Sequence, residues 1–438
     1  MELLINKFAK TDFSSYEDFV KNYKVNIPEG FNFAFDVLDV LAQKTPDKNA
    51  LVWCNEAGEH RNFTFKDISV ASAKTANFFK SLGIKKGDTV MLVLKKRYEY
   101  WYCINALHKL GAVGVPATHL LTVKDIRYRV EAANIKMIVS VGDERVTAEI
   151  DNANVDVIKV ITSGSKDGWV SYLDYEKCSD VFERPAGAEA IKNTDPFLLY
   201  FTSGTTGMPK MVWHYYTYPL AHIVTAKFWQ NVHPKSLHFT LADTGWGKAS
   251  WGKIYGQWIC EAGVFSYDFD RFDAKKMLGV MAQHGVTSFC APPTVYRQLI
   301  KEDFSQFDLS ALEFAETAGE PLNPEVFNQF KKFTGIEIKE AFGQTETVVL
   351  VATFPWITPR PGALGKPAPG WDLDVIDDDK NSCPAGQEGK LVVHTKNGKP
   401  LGFFGGYYKD EALTKQAWHD DIYYTGDMAY RDEDGYYW

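Results

Sequence analysis

Short β-rich runs alternate with segments of helical spacing through most of this chain, and that alternation constrains the fold more than any other feature. "FTFKDISVASAKTANFFKSLGI" (63–84) has helical spacing and stops at Gly83. "KKGDTVMLVLKK" (85–96) reads as a turn and a short strand, "YEYWYCINALHKLGA" (98–112) as a helix, and "VGVPAT" (113–118) as another strand. "IKMIVSVG" (135–142) and "VDVIKVIT" (155–162) continue the pattern. Strands joined through helices imply a layered, mainly parallel sheet. A second such unit follows. "VTSFCAPPTVYRQLI" (286–300) reads as a buried strand, a Pro-Pro turn and a helix. In "ALEFAETAGEPLNPEVFNQFKKFTG" (311–335), Asn323 suits a helix N-cap, Pro324 the first helical position and Gly335 the stop.

From about Pro355 the texture changes. "PWITPRPGALGKPAPGW" (355–371) is rich in proline and glycine, and two short strands separated by a long turn follow it. The expected architecture is α/β. Two layered α/β units, at about 1–190 and 191–355, precede a small β-rich, barrel-like unit at 356–438. The sequence ends inside a turn-to-strand pattern, "DEDGYYW", which reads as a domain boundary rather than a natural end.

Near the start of the second α/β unit lies "LLYFTSGTTGMPKMV" (198–212), an apolar run that breaks into a loop of small hydroxyl residues, glycines and a lysine. Glycine lets backbone N–H groups approach an anion closely, and Lys210 adds a mobile positive charge. These features predict a phosphate cradle on a rigid strand. The spacing is not that of a Walker loop, which needs Gly, four residues, then Gly-Lys-Ser/Thr. Here two residues separate Gly204 from Gly207 and two more precede Lys210, with Pro209 before the lysine. The dinucleotide fingerprint does not fit either.

Composition narrows the class further. A net charge of −8 gives no reason to expect nucleic-acid binding. The six cysteines are scattered without a CxxC pair, so metal-ligand spacing is absent and reduced thiols in a cytoplasmic protein are expected. No signal-peptide pattern and no apolar run of about 18 residues occurs, so no membrane span is expected. The aromatic share of 14% points to large cores, apolar pockets or both.

Three further segments follow the loop in order: "AGEPLNPE" (318–325), "EAFGQTET" (340–347) and "YYTGD" (423–427). With the loop they form a specific pattern, and on it the chain resembles the adenylate-forming superfamily over essentially its whole length. "ADTGWGKASWGKIYGQW" (242–258), "CAPPTVYRQLI" and "AGEPLNPEVF" make it most similar to the medium-chain acyl-CoA synthetase branch. The resemblance implies a luciferase-like adenylating N-terminal domain. It also implies a two-step ligase, in which a carboxylate attacks the α-phosphate of ATP to give acyl-AMP and pyrophosphate. The CoA thiol then displaces AMP. ATP, Mg²⁺ and CoA are the implied cofactors and co-substrate. Positioning and charge neutralisation would carry the first step, with no protein nucleophile.

The resemblance also implies residue roles. Thr202, Ser203, Gly204, Thr205, Thr206, Gly207 and Lys210 would cradle the β- and γ-phosphates. Gly319, Glu320 and Pro321 would line one face of the adenine, Phe342 would stack on the other, and Glu340 would lie near the adenine amino edge. Thr345 would bond the α-phosphate, Glu346 would hold Mg²⁺, and Asp427 would accept from both ribose hydroxyls. Lys210, Thr345 and Glu346 are the catalytic candidates. Gly343 stands where acetyl-CoA synthetases carry a pocket-closing Trp, so an acid larger than acetate is expected, short-branched or medium-chain. Trp246, Trp251 and Trp258 crowd the neighbouring segment, as core or as pocket walls that limit chain length.

The family's smaller C-terminal domain, with a second lysine that assists adenylation, has no counterpart in these 438 residues. The expectation is therefore a chain that binds nucleotide but is nearly inactive by itself. Other readings are an adenylating enzyme with a carrier-protein thiol as acceptor, a P-loop kinase or ATPase, and a non-catalytic nucleotide-binding protein. The partners expected are small molecules; the acid and the oligomeric state are left open.

Overall fold

The structure is a computed structural model and describes residues 2–202 and 208–438. Among the described residues the strands form three sheets. The first has seven strands in the order Val170–Ser171, Ile158–Ile161, Ile135–Ser140, Thr89–Val93, Val113–Pro116, Pro196–Thr202 and Lys210–Tyr215. Every pairing in it is parallel except the last, where Pro196–Thr202 and Lys210–Tyr215 form an antiparallel hairpin.

The second sheet has nine strands. Its parallel centre runs Ile338–Gly343, Phe314–Ala318, Ser288–Cys290, Leu237–Thr240, Gly263–Asp268 and Asn49–Asn55. Antiparallel strands close both edges: His60–Thr64 on one, Val349–Ala352 and Lys366–Pro367 on the other. The chain thus exchanges segments between layers. The hairpin at 49–64 serves the nine-stranded sheet, and the hairpin flanking the phosphate loop serves the seven-stranded one.

The third sheet is small and antiparallel, in the order Asp372–Ile376, Gly389–His394, Ile422–Ala429 and Trp418–His419. It is open rather than barrel-like, since four strands are too few to close around a core.

Local chemistry explains the helices. The Phe65–Ser81 helix begins with a Thr64/Asp67 capping box and buries Phe65, Ile68, Ala76 and Phe79 on one side. Asn323 caps the Pro324–Thr334 helix through its side chain, which accepts from Glu325 N–H, and Gly335 ends it at φ 76°. The two large sheets meet where Gly245 packs against Ala117: a Cβ on Gly245 would lie 2.3 Å from the Ala117 carbonyl carbon, so only glycine fits. That contact lies beyond the C-terminal ends of the Val113–Pro116 and Leu237–Thr240 strands, the ends at which open α/β sheets bind ligands. No helix among the described residues is long and apolar enough to cross a membrane.

Candidate functional site

The motif residues follow the ends of parallel strands. Gly319 follows Phe314–Ala318, Gln344 to Glu346 follow Ile338–Gly343, and the phosphate loop follows Pro196–Thr202. Ser203, Gly204, Thr205, Thr206 and Gly207 lie outside the described residues. The loop's flanks are placed: Thr202 pairs with Lys210 across the hairpin, and Lys210 Nζ sits 5.2 Å from the centre of the Tyr407 ring. Tyr407 in turn donates from its hydroxyl to Glu346 Oε1 at 2.9 Å. Lysine and candidate metal acid are therefore linked through one phenol. Glu346 is buried and has one oxygen committed to Tyr407, which leaves the other for a hard cation that takes oxygen ligands.

Gly319 has φ +108°, and a Cβ built there would meet no heavy atom within 4 Å. Its outer face is open space, wide enough for a flat ring to approach the backbone. Glu320 lines the same cavity of about 470 Å³ as Gly319, with its Oε1 accepting from Thr294 N–H at 3.0 Å. Phe342 is half-buried on the adjacent strand, in register with Val351.

Glu340 is almost fully buried at 3% exposure, and its oxygens accept from Leu322 N–H at 3.1 Å and Gly362 N–H at 2.7 Å. It therefore staples the backbone just past Pro321, in the segment that the sequence reading assigns to the adenine. Burial pushes its carboxyl up to about 7, while the two N–H donors pull the other way. Its ordinary value is 4.5, so between these limits the folded chain holds a proton that the unfolded chain has lost. The stability this group contributes is complete below about pH 4.5 and is lost as pH rises through about 7, a change of order 2–4 kcal/mol. Thermal melts between pH 4.5 and 8 should show this decline, and Glu340→Gln should flatten it; equal slopes in both proteins would contradict the assignment.

Thr345 is held by residues that the sequence reading did not single out. His214 Nε2 donates to the Thr345 carbonyl at 2.7 Å, with the ring buried and its pKa pushed down to about 4, so it stays neutral. The Gly247–Gly252 helix touches Thr345: a Cβ on Gly247 would lie 3.5 Å from its hydroxyl oxygen. Asp427 joins the same site through Gln344, whose Nε2 donates to its Oδ2 at 2.7 Å. His214 gave a faint signal, as a polar residue inside a β-rich run beside the loop; Gln344 gave none.

The tryptophans separate into three roles. Trp258 is core, fully buried with its indole N–H bonded to the Ala50 carbonyl at 3.1 Å. Trp246 is 55% exposed, at the rim of a cavity of about 470 Å³ that also contacts Leu241, Cys290 and Pro292. Trp251 fills the space beside Gly343. A Cβ on Gly343 would fall 2.5 Å from Trp251 Cη2 and 2.3 Å from the Val348 carbonyl oxygen. The sequence reading set an open wall at Gly343 against a neighbouring tryptophan that refills it, and the ring of Trp251 stands in that place. What remains is a cavity of about 220 Å³ bounded by Gly247, Lys248, Trp251, Gly319, Gly343 and Thr345. Lys248 stands between the two cavities, its Nζ donating to the Ala318 carbonyl at 2.7 Å. A separate polar cleft of about 360 Å³ is lined by Glu56, Lys95, Asp143 and Asp268. It holds none of the motif residues, and its Lys95 is paired with Asp143 at 3.0 Å.

Comparison with known proteins agrees with this geometry. The family described as AMP-binding enzyme matches residues 38–408. Acyl-coenzyme A synthetase ACSM3, mitochondrial, from Mus musculus is 34% identical over 439 residues, covering 98% of this chain and 75% of that protein. ACSM5, mitochondrial, from the same organism is 34% identical over 424 residues, covering 94% and 72%. Among solved structures, the anthranilate CoA ligase AuaEII in complex with anthranoyl-AMP superposes with a TM-score of 0.85 at 25% identity, over 94% of this chain and 78% of that one. Brucella canis acyl-CoA synthetase gives a TM-score of 0.87 at 24% identity, over 97% and 79%.

Proposed function

This chain belongs to the AMP-binding enzyme family, and from that premise we propose that it is an ATP-dependent, AMP-forming acyl-CoA synthetase. A carboxylate attacks the α-phosphate of ATP, giving acyl-AMP and pyrophosphate, and the CoA thiol then displaces AMP from the acyl carbon. The observation that carries this reading is the convergence of four motifs distant in sequence. Lys210 meets Glu346 through Tyr407, and Thr345 and Gly319 line one cavity with Gln344, which bonds Asp427.

In this reading Gly319 and Pro321 give one adenine wall and Phe342 the other, with Glu340 holding the first wall in place through Leu322 and Glu320 braced against Thr294. Asp427 accepts from the ribose hydroxyls, and the Thr345 hydroxyl orients the α-phosphate. Thr202, the loop residues 203–207 and Lys210 take the departing pyrophosphate. Glu346 would hold Mg²⁺ through the carboxylate oxygen that Tyr407 leaves free, and the bound ion would neutralise phosphate charge. The protein supplies a fixed arrangement of donors and charges, and that arrangement needs no reorganisation as charge shifts.

With Trp251 beside Gly343, the acid pocket is short, and we assign a short or short-branched acid ahead of a long one. We retain the division of the chain at about 190 and 355, the second unit lending its loop hairpin to the first unit's sheet. All six cysteines are free, which suits a reducing compartment. Our reading is the cytoplasm, although the names of the mouse relatives say mitochondrial.

The test is a panel of carboxylic acids from acetate to decanoate, straight and branched, with ATP, Mg²⁺ and CoA. AMP and pyrophosphate should appear only with acid present, and most with short branched acids. ADP as the product would identify a kinase, and AMP formation that needs a carrier-protein thiol in place of CoA would change the acceptor. Since turnover by these 438 residues is expected to be slight, binding is the second readout: a protein that releases no AMP with any acid and also fails to bind stable acyl-adenylate mimics would overturn the reading.

A further inference from the structure

The four residues that place the candidate ribose acid lie on two elements far apart in sequence. Asp427 is on the Ile422–Ala429 strand of the small sheet, directly after Gly426, which has φ +84° and empty space where a Cβ would be. No hydrogen bond among the described residues of its own strand reaches the Asp427 side chain: its backbone N–H donates to Thr425 Oγ1 at 3.1 Å, and the residue is exposed. The restraint comes from across the gap. Gln344, 83 residues earlier, donates from Nε2 both to Asp427 Oδ2 at 2.7 Å and to the Thr425 carbonyl at 2.8 Å. Its Oε1 accepts from the Tyr423 hydroxyl at 2.9 Å. Every polar atom of the amide is used, and the phenol dictates which end faces the acid.

On the Proposed function reading of Asp427, we infer that Gln344 is a positioning residue for the ribose site. It commits one carboxylate oxygen of Asp427 and presents the other to the nucleotide, with Tyr423 fixing the amide. Two further features support the clamp. Burial holds the Tyr423 hydroxyl far above its usual pKa, so it remains a donor at every working pH. The Phe404 ring packs on Tyr423 at 5.6 Å and on Tyr407 at 5.2 Å, so the phenol serving Gln344 and the phenol serving Glu346 share one aromatic support. Without the clamp, Asp427 must be ordered by the ligand itself, and the cost of that ordering appears as lost affinity. The clamp also spans two layers, because Gln344 follows a strand of the nine-stranded sheet while Tyr423 and Asp427 belong to the four-stranded one.

Calorimetric titration with AMP and with 2′,3′-dideoxy-AMP tests this. Gln344→Ala, and Gln344→Met, which keeps the bulk, should weaken AMP binding about tenfold and leave the dideoxy nucleotide unchanged, because only a ligand with ribose hydroxyls uses Asp427. Tyr423→Phe should act in the same direction by about threefold. The double variant Gln344→Ala/Asp427→Ala should bind AMP no more weakly than Asp427→Ala alone, since Gln344 acts through that residue. Additive losses, or equal losses for both nucleotides in the Gln344 variants, would overturn the inference, as would AMP binding in them as tight as in the parent. Failure of the underlying reading is separate: Asp427→Ala would then bind AMP as tightly as the parent.

Discussion

Replacing Trp251 with glycine or leucine is expected to convert a short acid pocket into a long one. The Trp251 ring occupies the place that Gly343 would otherwise leave empty. Removing it joins that volume to the 220 Å³ cavity. Each methylene of the ligand that then leaves water contributes about 0.8 kcal/mol, or roughly fourfold in affinity, so four added methylenes give on the order of a hundredfold. The measurement is a series of acyl-sulfamoyl adenosines from propionyl to decanoyl, which stand in for acyl-AMP and need no turnover. The parent should lose affinity as soon as the tail reaches the indole, whereas the variant should gain with length. A parent and a variant with the same length profile would remove Trp251 from the acid pocket. Because Trp251 is 93% buried by its 7% exposure, the glycine variant also loses about 3–5 kcal/mol of stability, and the leucine variant keeps part of that packing.

Glu346→Gln is expected to abolish the Mg²⁺ dependence of ATP binding. Glutamine has the same shape, and its carbonyl still accepts from the Tyr407 hydroxyl, so the local fold is retained. The negative charge that a divalent cation requires is gone. ATP affinity measured with and without Mg²⁺ should differ in the parent and coincide in the variant, a loss of roughly tenfold to a hundredfold, the equivalent of about 1.5–3 kcal/mol for one contact to a charged group. AMP, which lacks the β- and γ-phosphates, should bind both proteins equally. Persistent Mg²⁺ enhancement in the variant would place the cation elsewhere.

Both predictions rest on residues that differ in how visible they were before the fold was known. Glu346 belongs to a contiguous motif, "EAFGQTET", whose spacing survives in one dimension because a strand and the turn after it are local structures. Asn323, Pro324 and Gly335 are local in the same sense, and the helix between them starts and stops where capping chemistry requires. The alternation of strand and helix likewise specified parallel sheets, since a parallel pair needs a crossover connection. Strand membership was not local. The hairpins at 49–64 and 196–215 joined sheets on the far side of intervening segments, and nothing in their own residues names the partner edge.

The sequence by itself pointed to the reaction class through its resemblance to the adenylate-forming superfamily, because the candidate phosphate, adenine, metal and ribose residues stand in short ordered motifs. Only the tertiary structure decided how those motifs are held and which ring stands beside Gly343. Gly343 and the three nearby tryptophans left the wall undecided; the fold puts the Trp251 ring beside Gly343. The resemblance put Glu340 near the adenine amino edge; its bonds to Leu322 and Gly362, which brace the backbone there, were not legible in the motif. Gln344 carried no signal until Tyr423 and Asp427 came within reach across 79 and 83 residues. The physical reason is the same in each case. A motif records which group is needed, but volume and hydrogen-bond satisfaction belong to whatever side chains the fold brings alongside, and one-dimensional spacing does not encode those neighbours.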